Sequence, residues 1–321
     1  MRSENTLYVV VPCYKEEEVL PETSKRLKEK LTALIAKGKI SPRSRILFVN
    51  DGSKDRTWPI IEELHARDRI FSGVNLSRNR GHQNALLAGL MTAVQYADMM
   101  VSMDADLQDD IDAMDKMIDA YHEGCDVVYG VRSSRKTDSF FKRFTAESFY
   151  KLMKAMGVDI VFNHADYRLM SRRAVEGLAQ FKEVNLFLRG IVPQIGYTWT
   201  TVEYERAKRF AGESKYPLKK MLSFAFDGIT SFSVKPMRLI LLLGGVIFGL
   251  SLLMLLWTLI RWIAGATVSG WASLMCSIWM IGGIQLLALG VIGEYVGKVY
   301  SESKARPRFI IERVLNDRDN D

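Results

Sequence analysis

The sequence predicts an α/β domain on a mostly parallel, Rossmann-like sheet, followed by a two-helix transmembrane hairpin. Three observations carry this expectation. Continuous apolar runs alternate with helical segments through the first half of the chain, which implies parallel strands covered on both faces. Clusters of Asp, Asn, Arg and Gly follow those runs, at the strand ends where such sheets bind ligands. Two uncharged stretches, 239–260 and 271–293, are about 22 and 23 residues long, enough to cross a bilayer.

The first strand is Leu7-Tyr8-Val9-Val10-Val11, closed by Pro12. A helix is expected over 16–36, with Leu20, Leu27, Leu31 and Leu34 along one side. Ile46-Leu47-Phe48-Val49 is the second strand, stopped by the turn residues Asn50-Asp51-Gly52-Ser53. Residues 58–67 are helical, 73–76 a short strand, and 83–96 a helix rich in Ala, Leu and Met. The fourth strand, 99–103, runs into Asp104-Ala105-Asp106-Leu107-Gln108-Asp109-Asp110. A helix over 111–123 and a strand at Val127-Val128-Tyr129 complete the alternation.

Beyond residue 215 the pattern changes. Leu218, Met221, Leu222, Ala225 and Ile229 recur at helical spacing with Lys219, Lys220, Ser223 and Asp227 between them. That is an amphipathic helix, lying in the membrane interface or docked on the protein itself. Lys235 and Arg238 precede the two spans and Lys298, Lys304, Arg306 and Arg308 follow them, while the connection carries only Arg261. The positive-inside rule then places both flanks in the cytoplasm, with Trp257, Trp262 and Trp271 at the far interface. The expected layout is a cytoplasmic domain over 1–215, a juxtamembrane helix over 216–235, two transmembrane helices within 236–293 and a cytoplasmic tail over 294–321. Gly244, Gly245 and Gly249 permit close helix packing, and a homo-oligomer is expected.

The mean hydropathy of −0.01 hides this asymmetry. The net charge of +7 on 321 residues suits anionic lipid head groups and phosphate substrates. No nucleic-acid-binding motif is present, and no nucleic acid partner is expected. Cys13, Cys125 and Cys276 are scattered, which argues against a disulfide framework or a zinc site and for a reducing cytoplasm. His65, His82, His122 and His164 read as ordinary surface or core residues. The N-terminal apolar run is too short for a signal peptide. Neither GxGxxG nor a Walker motif occurs, so neither a dinucleotide dehydrogenase nor a P-loop NTPase is indicated.

Asp104 and Asp106, one residue apart past a strand end, suit an oxygen-ligand site for Mg²⁺ or Mn²⁺, with Gln108 as a further oxygen donor. The alternative is a solvated loop. Asp51 reads equally as a nucleotide contact or as a plain Asx turn. Glu16 and Tyr14 are ambiguous in the same way, since Glu16 also suits a helix N-terminus. Arg132, Arg135, Lys136, Lys142 and Arg143 form a basic run, either a phosphate clamp or a solvated surface loop. Arg206, Lys208, Arg209, Ser214 and Lys215 form a second such set. Asp166, read as a lone acid between helical segments, is either a structural partner of Arg168 or a reacting group.

Val10-Val11-Pro12-Cys13-Tyr14-Lys15-Glu16-Glu17, Val49-Asn50-Asp51-Gly52-Ser53, Ser77-Arg78-Asn79-Arg80-Gly81 and Met103-Asp104-Ala105-Asp106-Leu107-Gln108-Asp109 together resemble the family 2 glycosyltransferases of the GT-A fold. Ala165-Asp166-Tyr167-Arg168-Leu169-Met170 and Arg209-Phe210-Ala211-Gly212-Glu213-Ser214-Lys215 narrow the resemblance to polyprenyl-phosphate glycosyltransferases. These are the bactoprenol glucosyltransferases and, more distantly, the dolichyl-phosphate mannose synthases. The resemblance implies that Pro12, Tyr14, Glu16 and Asp51 contact the nucleotide and that Asp104 and Ala105 line the diphosphate pocket. Asp106 and Gln108 would hold the metal. Arg132 and Arg143 would meet phosphates, and Arg209, Ser214 and Lys215 would close over donor or acceptor. Asp166 matches the acid placed near the acceptor. Asp110 stands where relatives often carry proline, which puts the exit geometry of the motif in question. The Gln-x-x-Arg-Trp signature of processive synthases is absent, because Thr258 precedes Arg261-Trp262 where glutamine is required.

The expected reaction is metal-dependent, inverting transfer of one hexose, glucose from UDP-glucose, to undecaprenyl phosphate at the cytoplasmic face of a bacterial inner membrane. A separate flippase would act downstream. The alternatives are mannose, galactose, GlcNAc or aminoarabinose on the same lipid, or a non-catalytic module that binds nucleotide-sugar or lipid carrier.

Overall fold

The computed structural model describes residues 4–132, 164–183, 187–205, 235–264 and 270–316. The 216–235 amphipathic segment lies outside the described residues, except for Lys235. The chain divides into two compact units. The larger comprises 1–150, 159–216 and 306–321; the smaller is built mainly from 217–305.

The larger unit holds one eight-stranded mixed sheet. Its strands are β1 (Leu7–Cys13), β2 (Arg45–Asn50), β3 (Phe71–Leu76), β4 (Met99–Ser102), β5 (Val127–Arg132), β6 (His164–Ser171), β7 (Trp199–Tyr204) and β8 (Ile311–Leu315), in spatial order β7-β5-β6-β4-β1-β2-β3-β8. The central β4-β1-β2-β3 block is parallel, as the apolar runs predict. β1 is buried along its whole length because helices cover both faces. These are α1 (Leu20–Ala36), α2 (Thr57–Arg67), α3 (His82–Ala93) and α4 (Ala113–His122). Two short helices, α5 (Arg172–Ala179) and α6 (Leu188–Gln194), follow β6.

Leu20, Leu27, Leu31 and Leu34 form the buried stripe of α1. The helix starts four residues later than the periodicity suggests. Pro21 has no N–H and its ring clashes with a preceding turn, so it is tolerated only at the helix start. α3 lies close on β1 and β2: a Cβ added at Gly89 would sit 2.6 Å from Val49 Cγ2. The small residue lets the helix approach the sheet.

Two strands break the parallel pattern, and both matter for the site. β6 runs antiparallel between β4 and β5, with Ser102 opposite Arg168. Asp166 is therefore strand-borne, not between helices, and continuing the register places it across from Asp104. β8 comes from the expected tail. It pairs antiparallel with β3, with Val74 opposite Val314, and Arg313 bonds Glu62 at 2.6 Å.

In the smaller unit, α7 (Lys235–Ile263) and α8 (Trp271–Ser303) are 29 and 33 residues long. Leu241, Leu253, Ile263, Leu286 and Leu287 are among their exposed side chains. An apolar surface of this extent is unfavourable in water and needs a covering medium. Among the described residues, the stretch Met280–Ser303 is long and apolar enough to cross a membrane.

Candidate active site

The site lies at one edge of the sheet, where the parallel strands end and β6 begins. β5 is antiparallel to β6, as β4 is, so Arg132 at the end of β5 emerges at this same edge. Its side chain, and all of Arg143, Arg209, Ser214 and Lys215, lie outside the described residues.

At the end of β1, Pro12 is buried and Tyr14 exposed. Lys15 adopts φ 57°, and its N–H donates to Ser53 Oγ at 3.1 Å; Glu16 N–H donates to Thr57 Oγ1 at 3.0 Å. These bonds tie the β1 exit to the β2 exit. At β2, Asn50 forms the Asx turn, its Oδ1 accepting Ser53 N–H at 3.3 Å. Asp51, only 2% exposed, has a different task. Its Oδ1 accepts Arg80 N–H at 2.6 Å and its Oδ2 accepts Gly81 N–H at 2.9 Å, which clamps the turn into α3. A carboxylate has about four acceptor positions, so the clamp does not exhaust it.

Gly52 makes that approach sterically feasible. It sits at φ +61°, and a Cβ there would lie 2.5 Å from both Arg78 C and Asn79 N. Gly52→Ala is expected to cost about 2–4 kcal/mol in chemical denaturation, combining left-handed strain with overpacking against backbone.

Beyond β4 the chain turns sharply through Leu107, at φ 54°. Asp106 Oδ1 accepts Gln108 N–H at 3.2 Å. Three hydroxyls brace the turn. Thr23 Oγ1 donates to Ala105 O at 2.8 Å, Tyr167 OH to Asp110 O at 3.0 Å, and Tyr204 OH to the Asp109 carboxylate at 2.6 Å. Asp110 resolves the exit geometry that a proline would otherwise set. Its Oδ1 accepts Asp112 N–H at 2.9 Å and its carbonyl accepts Ala113 N–H, which starts α4.

Acidic groups crowd this turn. Desolvation pushes the Asp104 carboxyl up to about 6, the charges of Asp109, Asp166 and Asp106 add to the rise, and His82 opposes it. His82 Nε2 lies 3.5 Å from Asp104 Oδ1 and 3.7 Å from Asp166 Oδ2. Asp166 accepts from Arg168 Nη2 at 3.0 Å and from Arg189 Nε and Nη2 at 3.2 and 3.1 Å. Burial alone would raise its pKa, but the charges of Arg189 and Arg168 hold it well below the usual carboxylate range. The structural pairing with Arg168 is therefore present, and a second arginine joins it. Among the described residues no three His, Cys, Asp or Glu side chains converge as a metal cage.

The Glycosyl transferase family 2 profile matches residues 8–178, more than half of the chain and most of this edge. The chain is a family 2 glycosyltransferase. A second profile, the GtrB C-terminal hairpin, matches residues 235–299 of the glycosyltransferase. The glycosyltransferase is 53% identical to "Uncharacterized glycosyltransferase YkoT" of Bacillus subtilis (strain 168), over 97% of its own length and 92% of that protein's. It is 40% identical to "Bactoprenol glucosyl transferase" of Shigella phage SfV, over 95% and 97% of the two chains. It is also 40% identical to "Prophage bactoprenol glucosyl transferase homolog" of Escherichia coli (strain K12), over 95% and 98%.

The glycosyltransferase brings Pro12, Tyr14, Glu16, Asp51, Asp104, Ala105, Asp106, Gln108 and Asp166 to one sheet edge. Sequence reasoning missed His82, Arg189, Thr23 and Tyr204. His82 directly follows the Ser77–Gly81 cluster, a positional signal that the ordinary reading of histidine overrode. Arg189 stands in Phe187-Leu188-Arg189-Gly190, which carries no pattern of its own.

Proposed function

We propose that this glycosyltransferase moves a single hexose, glucose from UDP-glucose, onto undecaprenyl phosphate at the cytoplasmic face of the membrane, with inversion. The observation that carries this is the pairing, on one chain, of the acidic turn after β4 with an exposed apolar helical pair. A relative named bactoprenol glucosyl transferase and one named as its homolog match 95% of this chain, both parts included. β8 supports a two-span topology. It returns the chain to the sheet that β1 began, so the segments on either side of 235–303 belong to one folded unit. An even number of crossings is compatible with that connectivity, and a bacterial inner-membrane, multi-pass placement is part of this proposal. The proposed functional layout is 1–215, 216–235, 236–293 and 294–321, the last segment holding the end of α8 and β8. A homo-oligomer accords with Gly244, Gly245 and Gly249, where an added Cβ would meet nothing within 4 Å.

Pro12, Tyr14, Glu16 and Asp51 would frame the nucleoside, and Asp104 and Ala105 the diphosphate. Arg132 and Arg143 would meet phosphates, with Arg209, Ser214 and Lys215 closing over the site. The donor set fits a hard dication. Mg²⁺ binds through one or two carboxylates plus substrate phosphates and does not need a cage, and Asp104, Asp106 and Asp109 bring three carboxylates to this one turn. Asp106 and Gln108 would hold Mg²⁺ or Mn²⁺, which supplies charge neutralisation for the departing diphosphate.

The acceptor phosphate oxygen attacks the anomeric carbon as the carbon–oxygen bond to UDP breaks, and UDP leaves with the electron pair. A phosphate monoester, with its second pKa at about 6, is already largely ionised at neutral pH. No general base is required, and Asp166 orients its cationic neighbours. A single displacement converts the α-linked donor into a β-linked lipid product.

The test offers membranes containing the protein a panel of radiolabelled nucleotide-sugars with added polyprenyl phosphate. The expected result is label from UDP-glucose in the lipid fraction, β-linked. Label from another sugar alone would replace the donor assignment, and an α-linked product would remove the single displacement.

A further inference from the structure

We propose that Arg189 and His82 form the seat for the acceptor's phosphate monoester, with Asp166 as the positioning residue that aims Arg189. This rests on the polyprenyl-phosphate reading above and locates one half of that reaction on named side chains.

Strand order supplies the first argument. Along the site edge, the proposed nucleoside-facing residues stand at β1 and β2, and the acidic turn stands at β4. Asp166 stands one strand further, on β6. A single displacement at carbon needs the incoming and leaving oxygens on opposite faces of that carbon. With the nucleotide departing on the β1–β2 side, the acceptor enters on the β6 side.

Electrostatics supplies the second. The incoming group is a dianion, and it must approach beside Asp104, Asp106, Asp109 and Asp166. The described basic side chains beside Asp104 and Asp166 are Arg168, Arg189 and His82. Arg168 is 2% exposed and bound to Asp166. The side chains of Arg189 and His82 are 34% and 42% exposed, so these two present positive or N–H-bearing groups at the mouth. A guanidinium has five N–H donors in a planar fork that suits phosphate oxygens. Imidazole donates an N–H whether neutral or charged.

The third argument is preorganisation. Asp166 grips Arg189 along its Nε–Nη2 edge, which fixes the plane of the fork. Leu188 N–H donates to Gln83 Oε1 at 2.8 Å, joining the first residue of α6 to the first turn of α3. Arg189 and His82 are the immediate neighbours of those two residues. The bond therefore holds together two side chains that the sequence separates widely. Ser102 Oγ adds to this by donating to Asp166 O at 2.6 Å, which anchors β6 at the level of the cluster.

The test uses the full chain in detergent with a short-chain polyprenyl phosphate as acceptor, and compares Arg189→Gln, Arg189→Lys and His82→Gln with wild type. Four quantities are measured: acceptor KM, UDP-glucose KM, donor dissociation constant, and acceptor affinity without donor. The expected result for Arg189→Gln is an acceptor KM raised about tenfold or more, with donor affinity within about twofold. Arg189→Lys recovers part of the loss, and His82→Gln shows a smaller shift in the same direction. Unchanged donor affinity also shows that the variants are folded. Inorganic phosphate is the second probe. Wild type is expected to bind the lipid phosphate more tightly than inorganic phosphate, and equal affinity would overturn the lipid-borne assignment. Acceptor KM unmoved in both Gln variants, or donor and acceptor KM rising together, would overturn the seat while transfer by wild type leaves the function standing. A wild type that neither binds polyprenyl phosphate nor transfers sugar to it removes both.

Discussion

Asp106→Asn is expected to lower sugar transfer at least a thousandfold, about 4 kcal/mol of transition-state stabilisation, with little change in melting temperature. The substitution is chosen because of what it keeps. Asp106 Oδ1 accepts Gln108 N–H, and an asparagine oxygen accepts the same bond, so the turn at Leu107 retains its support. The three hydroxyl braces from Thr23, Tyr167 and Tyr204 do not involve the Asp106 side chain. What is lost is one negative charge and a hard anionic oxygen. If a dication sits on Asp106, its affinity falls and the diphosphate departs with its charge unbalanced, a loss of several kcal/mol. Loss of activity with EDTA and its recovery with Mn²⁺ or Mg²⁺ is the companion measurement on wild type. Asp104→Asn serves as contrast, because it removes one negative charge from the same turn without removing the proposed ligand. Full turnover by Asp106→Asn in metal-free buffer would end the metal assignment.

What the sequence disclosed and what it hid follow one physical division. Features made by local chain chemistry were legible. Continuous apolar runs mark buried parallel strands, and turn residues mark the exits where β1, β2 and β4 deliver Tyr14, Asp51 and Asp106. The apolar stretches likewise foretold α7 and α8. Features made by strand insertion were not legible. β6 enters between β4 and β5 against the parallel direction, and only that pairing carries Asp166 to the level of Asp104. β8 falls in the expected tail: Ile310-Ile311-Glu312-Arg313-Val314-Leu315 sits among charged residues, and an edge strand needs only one covered face. Its docking adds a side-chain relay: Asn50 Nδ2 donates to Asn75 Oδ1 at 2.7 Å, and Asn75 Nδ2 donates to Glu312 Oε2 at 2.8 Å. Asp51 shows the same division within one residue. Turn chemistry was expected there and is present, but Asn50 makes the local turn while Asp51 spans to the amides of Arg80 and Gly81.

Asp166→Asn is expected to destabilise the protein by about 3 kcal/mol, because it strands a buried charge. Arg168 is among the largest fully buried side chains, and Asp166 Oδ1 accepts from its Nη2 at 3.0 Å. Among the described residues, Arg168 Nη1 has no hydrogen-bond partner, so the carboxylate carries most of the compensation. Asparagine retains an acceptor oxygen but not the charge. Thermal unfolding in detergent reads the loss as a melting temperature lower by about 6–12 °C. The double variant Asp166→Asn, Arg168→Met removes both charges and is expected to recover most of the stability, since breaking a buried pair costs more than replacing it with apolar packing. The pH dependence has a definite sign. The folded Asp166 carboxyl titrates well below its unfolded value of about 3.9. Its contribution is therefore complete above the unfolded value and is lost as pH falls towards the folded one. Wild type should lose melting temperature more steeply than Asp166→Asn between pH 5 and roughly pH 2, so that the two curves converge at the acid end. Parallel curves would show that Asp166 and Arg168 are not coupled in the folded state, and with them would go the positioning of Arg189.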